Sequence, residues 1–440
     1  MNILRDFKRL IWTSFLLMHG GIPLREIIWR IHIKLKWCKP FGRVMWKITS
    51  KKLSQQEPIC PDDFSEVYSF KYSNRYEREV SECMCKAISA RVANHEYQLD
   101  VERAREMLSR NEYRLSSLWL SDVEVLLLAG GLFILAGDVR QLRARKLLQK
   151  YKRKRNIQYF DSQQLYVCYM NRGEYEKAVD VLNRTGKLWR EKCRRALPLM
   201  LIATRMDRAE FSSLLVPNRE IDKVYFDMIS GKNVAVIGPA TGTLDVDDVL
   251  KNFDVKIRIN FRGHEYLNED GRKCGVDISY YNASVSKTIS ETINFQFLEY
   301  LTMSVFKKIS HDFQGALLNN EKGRRKAGSA SHLMFQGHEN MVQLILMDLF
   351  YFSPAQIKLF NFNLYLSRTN TRHQRAYSFV NTTYSREEMW FYNAVPHNLI
   401  SSYEIMKLWY DAGFFEADEE LAEILTLGLY EYLQRMERLE

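Results

Sequence analysis

The sequence predicts an α/β domain with a largely parallel sheet over residues 231–440, an all-α helical-hairpin domain over 61–230, and a basic amphipathic arm over 1–60. Three observations predict this division. Apolar residues recur three and four apart from about 62 to 230. At Lys232 the pattern changes to short β-branched runs that alternate with helical stretches. The first 52 residues carry a concentrated excess of lysine and arginine.

A chain of 440 residues is too long for one ordinary core, so two or three domains are expected. Hydrophobic residues make up 46% and charged residues 27%, which excludes a largely disordered chain. Seven cysteines, an odd number without framework spacing, argue against a disulfide-stapled secreted protein and for a reducing compartment.

The net charge of +11 comes almost entirely from the arm. Residues 1–52 hold twelve Lys/Arg against Asp6 and Glu26, together with Trp12, Trp29, Trp37 and Trp46, half of the eight tryptophans. Tryptophan with a Lys/Arg fringe suits an anionic membrane surface. The apolar run Leu10–Met18 is about half of what spans a bilayer. It lacks a small-residue cleavage site, so it is not read as a signal peptide. The arm is expected either to lie in the plane of a membrane or to pack on the protein's own body. No nucleic-acid motif accompanies its charge, and nucleic acid is not expected as a partner.

In the middle region Ala104, Met107 and Leu108 recur as Ala144, Leu147 and Leu148, then as Ala178, Val181 and Leu182. The last unit, Tyr166–Leu182 with Gly173 at its turn, resembles a tetratricopeptide helix pair. A helical array of that kind implies a docking surface for a protein partner. An irregular helical domain with ordinary interhelical alanines reads equally well.

From residue 233 the strands follow in order. Asn233–Ile237 is a buried parallel strand that runs into the glycine turn Gly238-Pro239-Ala240-Thr241-Gly242. Asp245–Leu250 reads as a short helix. Phe253–Ile259 and Val276–Tyr281 are further strands, ending at Asn260 and Asn282. His338–Tyr351 is a helix, and Gln356–Phe360 is another strand. Ligands of parallel sheets bind beyond the carboxyl ends of the strands, where Gly238–Gly242, Asn260 and Asn282 fall. The turn is not G-x-G-x-x-G and no Walker lysine follows, so a dinucleotide or P-loop reading is disfavoured. Asn319–Ser331 and Ser367–Ser385, rich in small, polar and basic residues, read as mobile loops.

The order of these pieces carries a resemblance. The strand and Gly turn, then Phe253-Asp-Val with Arg258-x-Asn260, then Tyr281-Asn282-x-Ser284, resemble the start of bacterial sialyltransferases. Ile357–Tyr365 is similar to the strand that in those enzymes ends in Gly-x-Asp-x-Tyr. Ala376–Phe379 resembles their second tyrosine element, and Pro396-His397 resembles the histidine before a terminal helix. The likeness spans about residues 230–415. It departs at Pro239, where an asparagine is expected, and at Asn361 and Asn363, which replace glycine and aspartate.

The resemblance implies a Rossmann-like, GT-A-variant glycosyltransferase that uses CMP-sialic acid or a related CMP-nonulosonic acid and needs no cofactor or essential metal. It implies His397 as base and Tyr365 and Tyr377 as donors to the departing phosphate. It places Gly238, Thr241, Asn260, Asn282, Ser284 and Asn363 against the donor. The expected reaction is inverting transfer to a hydroxyl of a bacterial surface glycan (capsule, O-antigen or lipooligosaccharide) by an enzyme peripheral to the cytoplasmic face of the inner membrane. Two alternatives stay open: a CMP-Kdo-dependent transferase, and a helical-repeat scaffold whose α/β domain is inactive.

Overall fold

The computed structural model describes residues 74–92, 95–152, 157, 159–184, 220–239, 250–261, 276–282, 285–286, 301–307, 323–327, 339–366 and 397–438. The arm lies outside the described residues, as does the expected helix 245–250 except for Leu250. The chain divides into two compact units. The first comprises residues 1–168, 180–189 and 386–399; the second comprises 169–179, 190–385 and 400–440.

The first unit is helical. Its main elements are α1 (Arg75–Val92), α2 (Gln98–Arg110), α3 (Ser117–Ala129) and α4 (Phe133–Tyr151). Asn74 starts α1 by accepting from the backbone N–H groups of Tyr76 and Glu77 at 3.0 and 3.1 Å. Ser116 starts α3 in the same way, with Oγ accepting from Trp119 N–H at 3.2 Å. The Trp119 indole, almost fully buried, donates to Ser81 Oγ and so ties α3 to α1. Gly130 follows α3 where Ile88 of α1 presses closest; a Cβ there would lie 2.7 Å from the Ile88 side chain. Between α3 and α4 the core holds an ion cluster. Glu124 is fully buried, with Arg140 and Arg143 each 3.5 Å from its carboxylate.

Two further helices are α5 (Tyr159–Asn171) and α6 (Tyr175–Asn183). Gly173 sits at the turn between them with φ +69, as the repeat reading expected. Glu174 N–H donates to Tyr169 O and Gly173 N–H to Met170 O, the paired closure of a left-handed helix end. Ala104 and Ala178 are fully buried, and Ala144 is half-buried.

The second unit is built on seven parallel strands: β1 (Asn233–Ile237), β2 (Val255–Ile259), β3 (Ile278–Tyr281), β4 (Met303–Phe306), β5 (Arg324–Lys326), β6 (Gln356–Phe360) and β7 (Glu416–Ala417). Their order across the sheet is β5-β4-β3-β2-β1-β6-β7. Four helices of this unit's sequence are α7 (Glu220–Ile229), α8 (Met341–Phe350), α10 (Glu419–Thr426) and α11 (Leu429–Arg438); α9 (Leu399–Asp411) begins at the last residue of the first unit. This is an α/β, Rossmann-like arrangement, in which buried strands read as continuous apolar runs.

The register assigns the faces. Val236, Ile257 and Ile278 fall in one row, and Ile259 and Tyr280 pair in another row of the same face. On that face Tyr280 donates to Asp348 of α8 at 2.7 Å, and its hydroxyl meets that of Tyr225 of α7. On the other face Ala235, Ile237 and Phe360 pack with Leu250 and Phe253.

One loop expectation is overturned over residues 324–326. The segment Asn319–Ser331 contains the edge strand β5, and its central Arg325 is buried. Arg325 Nε donates to Asp222 Oδ1 at 2.7 Å; Nη2 donates to Asp348 Oδ1 at 3.0 Å, and Nη1 donates to Asp348 Oδ2. The guanidinium also lies over the rings of Tyr225 and Phe352, at 4.4 and 4.6 Å. Two carboxylates from distant helices make a strand of what composition alone reads as a solvated basic loop.

Candidate functional site

Chain order and sheet order part company at β1. Its neighbour on one side is β2, the next strand in the chain; on the other side it is β6, which arrives about 120 residues later. At such a reversal of strand order in a parallel sheet, ligands bind beyond the carboxyl ends of the strands, which makes the ends of β1 and β6 the candidate site.

Gly238 is the first residue past β1. Its N–H donates to Phe360 O at 2.7 Å. A Cβ at this position would stand 2.3 Å from Asn361 O and 2.9 Å from the Phe362 ring. The glycine is thus required by the approach of the β6 backbone. Pro239 follows, and Thr241 lies outside the described residues.

Asn260 and Asn282 end β2 and β3. Asn260 adopts φ 53, a left-handed geometry that asparagine tolerates better than most residues. Its Oδ1 accepts from Asn282 N–H at 3.1 Å, and Asn282 Oδ1 accepts from Val285 N–H at 2.8 Å. Both carboxamide oxygens are therefore engaged with backbone. The two NH2 groups have no partner among the described residues. Behind them Ser279 Oγ accepts from Phe261 N–H and Tyr281 donates to Phe261 O, which fixes the chain as it leaves β2. Ser284 lies outside the described residues.

The turn after β6 is strained. Asn361, Leu364 and Tyr365 all have positive φ, at 58, 44 and 70. Strain of this kind in bulky residues persists only where the surroundings enforce it, and it clusters at functional sites. Asn363 Oδ1 accepts from Tyr365 N–H at 3.1 Å, so two predicted site residues meet in one turn. Burial pushes the Tyr365 phenol up to about 12, against a smaller lowering by its bond to Asn340. Tyr365 is therefore a protonated donor at neutral pH.

Sequence reasoning missed the residues facing that phenol. Tyr365 donates to Asn340 Oδ1 at 3.4 Å. Asn340 is the N-cap of α8, and its N–H donates to Gln343 Oε1 at 2.7 Å in a capping-box arrangement. Lys307, the first residue past β4, donates from Nζ to Glu339 O at 2.6 Å and pairs with Glu339 Oε1 at 3.5 Å. Burial lowers the Lys307 pKa, and Glu339 partly offsets this. The Asn340-x-x-Gln343 pattern was the available signal for the helix start, three residues later than expected. The start of α8, the Lys307–Glu339 ion pair and a neutral phenol thus stand together at one end of the parallel sheet.

His397 is half-buried, belongs to the first unit and lies just before α9. The next residue, Asn398, is fully buried with φ 40 and donates to Glu124 Oε1 at 2.8 Å. Tyr377 lies outside the described residues. Among the described residues no cluster of His, Cys, Asp or Glu is suited to a metal ion, and no helix is long and apolar enough to cross a membrane. No family model, curated protein or solved structure matches the chain.

Proposed function

We propose that this protein is a glycosyltransferase that moves an acidic sugar, sialic acid or a related nonulosonic acid, from its CMP donor to a glycan hydroxyl. The observation that carries the reading is the strained turn Asn361–Tyr365 just beyond the carboxyl end of β6. It presents a protonated phenol on the segment that resembles the sialyltransferase strand.

In the proposed reaction the acceptor oxygen forms a bond to the anomeric carbon as the bond from that carbon to the phosphate oxygen breaks. CMP leaves with the electron pair, and the acceptor proton passes to a base. Tyr365, with Tyr377, donates to the phosphate as negative charge grows there. His397 takes the acceptor proton; its residue type has a pKa near working pH. Asn260 and Asn282 offer their NH2 groups to the donor, and Gly238 lets the β1 turn pass close to it.

Millimolar CMP is expected to raise the melting temperature of the full chain, and UMP is not. Turnover of CMP-sialic acid, with CMP-Kdo run alongside, then identifies the sugar. A melting temperature indifferent to CMP, with neither donor consumed, refutes the reading.

A further inference from the structure

The strained turn after β6 is gripped from behind by the C-terminal helices. Asp418 bridges three backbone sites at the end of the sheet. Its Oδ2 accepts from Asn361 N–H at 2.7 Å, its Oδ1 accepts from Leu421 N–H at 3.0 Å, and its own N–H donates to Leu359 O at 3.0 Å. The same carboxylate thus caps α10 and holds the first left-handed residue of the turn. Tyr432 of α11 holds the second. Its hydroxyl donates to Leu364 O at 2.8 Å. Its ring is stacked on Tyr403, with centroids 4.1 Å apart and planes 11° apart. Tyr403 is in turn anchored by donating to Ile424 O and Leu427 O between α10 and α11.

Leu364 and Tyr365 are consecutive non-glycine residues at positive φ, a conformation that local forces oppose. Within the turn itself, Asn363 supplies Oδ1 to Tyr365 N–H and its carbonyl to Leu366 N–H at 2.8 Å. Those bonds close the turn but do not fix where it points. The outside restraints, Asp418 at its start and Tyr432 at its middle, set that direction.

We propose that Asp418 and Tyr432 are positioning residues that hold the turn Asn361–Tyr365 in its strained form and thereby aim the Tyr365 hydroxyl at Asn340, the N-cap of α8, beyond the carboxyl end of the sheet. The proposal rests on the assignment of Tyr365 as a ligand-facing donor. It adds that the C-terminal helices complete the site without touching the ligand.

The test uses the full chain with tyrosine labelled at ¹³Cζ. The Tyr365 resonance is assigned by its loss in Tyr365→Phe. Tyr432→Phe keeps the stacked ring and removes the bond to Leu364; Asp418→Ala removes the restraint on Asn361, and Asp418→Asn keeps an acceptor oxygen. In Tyr432→Phe and Asp418→Ala the Tyr365 resonance is expected to shift, and its titration midpoint to fall toward that of an ordinary tyrosine. Asp418→Asn, with one acceptor oxygen for the two N–H groups of Asn361 and Leu421, should move both less than Asp418→Ala does. With CMP-sialic acid as probe, kcat should fall roughly tenfold to a hundredfold in the two disruptive variants, with little change in KM, as misplacement of a reacting contact predicts. A Tyr365 resonance unmoved in both variants below their melting transitions, whatever their loss of stability, overturns the proposal. Absence of turnover in wild type with the resonance shifts intact refutes the transferase reading and leaves the positioning role standing.

Discussion

Each unit buries an ion cluster of three charged side chains, and the two clusters have opposite composition. In the helical unit one carboxylate, Glu124, faces two guanidinium groups, Arg140 and Arg143, at 3.5 Å each. In the α/β unit one guanidinium, Arg325, faces Asp222 and Asp348 with short, partly bidentate bonds and a tyrosine hydroxyl on the same carboxylate. Burial lowers the pKa of Arg143, Glu124 raises it in part, and Arg140 lowers it again. Burial also lowers that of Arg325, but Asp348 more than offsets it and the group ends above its ordinary value. An equal count of charges thus gives two electrostatic outcomes. Short bonds to two anions stabilise a buried cation; long contacts to one shared anion leave two cations in competition.

Removing the hub of the tighter cluster has the largest expected effect. Arg325→Met leaves Asp222 and Asp348 buried without a cation and should cost roughly 3–5 kcal/mol in urea denaturation. β5 should detach with it, visible as fast hydrogen exchange at residues 324–326. A cost below about 1 kcal/mol would show that the cluster is solvated and the contrast empty.

Alkaline pH should weaken the second unit. Tyr225, Tyr280 and Tyr432 are all held above the ordinary phenol value by burial first, as is Tyr365 at about 12. A raised folded-state value means that the native state binds protons more tightly than the unfolded chain, so stability falls as pH rises from about 10. For Tyr365 alone the shift corresponds to roughly 2 kcal/mol lost by pH 12. Tyr365→Phe should flatten that part of the stability–pH curve, measured by denaturation at each pH; an unchanged slope would deny the burial of the phenol.

The glycines sharpen the comparison further. An added Cβ at Gly238 meets a carbonyl oxygen of the neighbouring strand, whereas at Gly130 it meets the Ile88 side chain. Backbone in a sheet yields less than a side chain, so Gly238→Ala should cost about 2–3 kcal/mol and Gly130→Ala about 1. Equal melting temperatures for the two variants would contradict this. The smallest effect is expected at Arg140→Met. It leaves Glu124 paired with Arg143 and removes the competing cation, so stability should stay within about 1 kcal/mol of wild type.

Much of the second unit was legible in the chain. Asn233–Ile237 and Gln356–Phe360 stand as read, and the strands before Asn260 and Asn282 begin only two residues later than expected. Their apolar runs are long enough, and bounded by polar or glycine residues sharply enough, to announce buried strands. β4, β5 and β7 were not read. Met303–Phe306 is a four-residue run without a turn signal, Glu416–Ala417 is a two-residue edge, and Arg324–Lys326 has the composition of a loop. At the site, residue types at strand ends marked Asn260 and Asn282, and the resemblance marked Tyr365. Nothing local marked Lys307, Glu339, Asp418 or Tyr432, because their roles depend on partners that the chain brings close only after folding.

The sequence by itself determined strands β1, β2, β3 and β6, the turn at Gly173 and the polar residues at the carboxyl ends of those strands, since these follow from local period and turn chemistry. Tertiary structure alone decided that Arg325 is a buried strand residue and that Gly238 lies against Asn361. It also decided that Leu364 and Tyr365 take left-handed conformations under the grip of Asp418 and Tyr432. The physical reason is shared. A buried charge and a strained backbone both oppose local preference, and each is stable only where distant segments supply the compensating bonds.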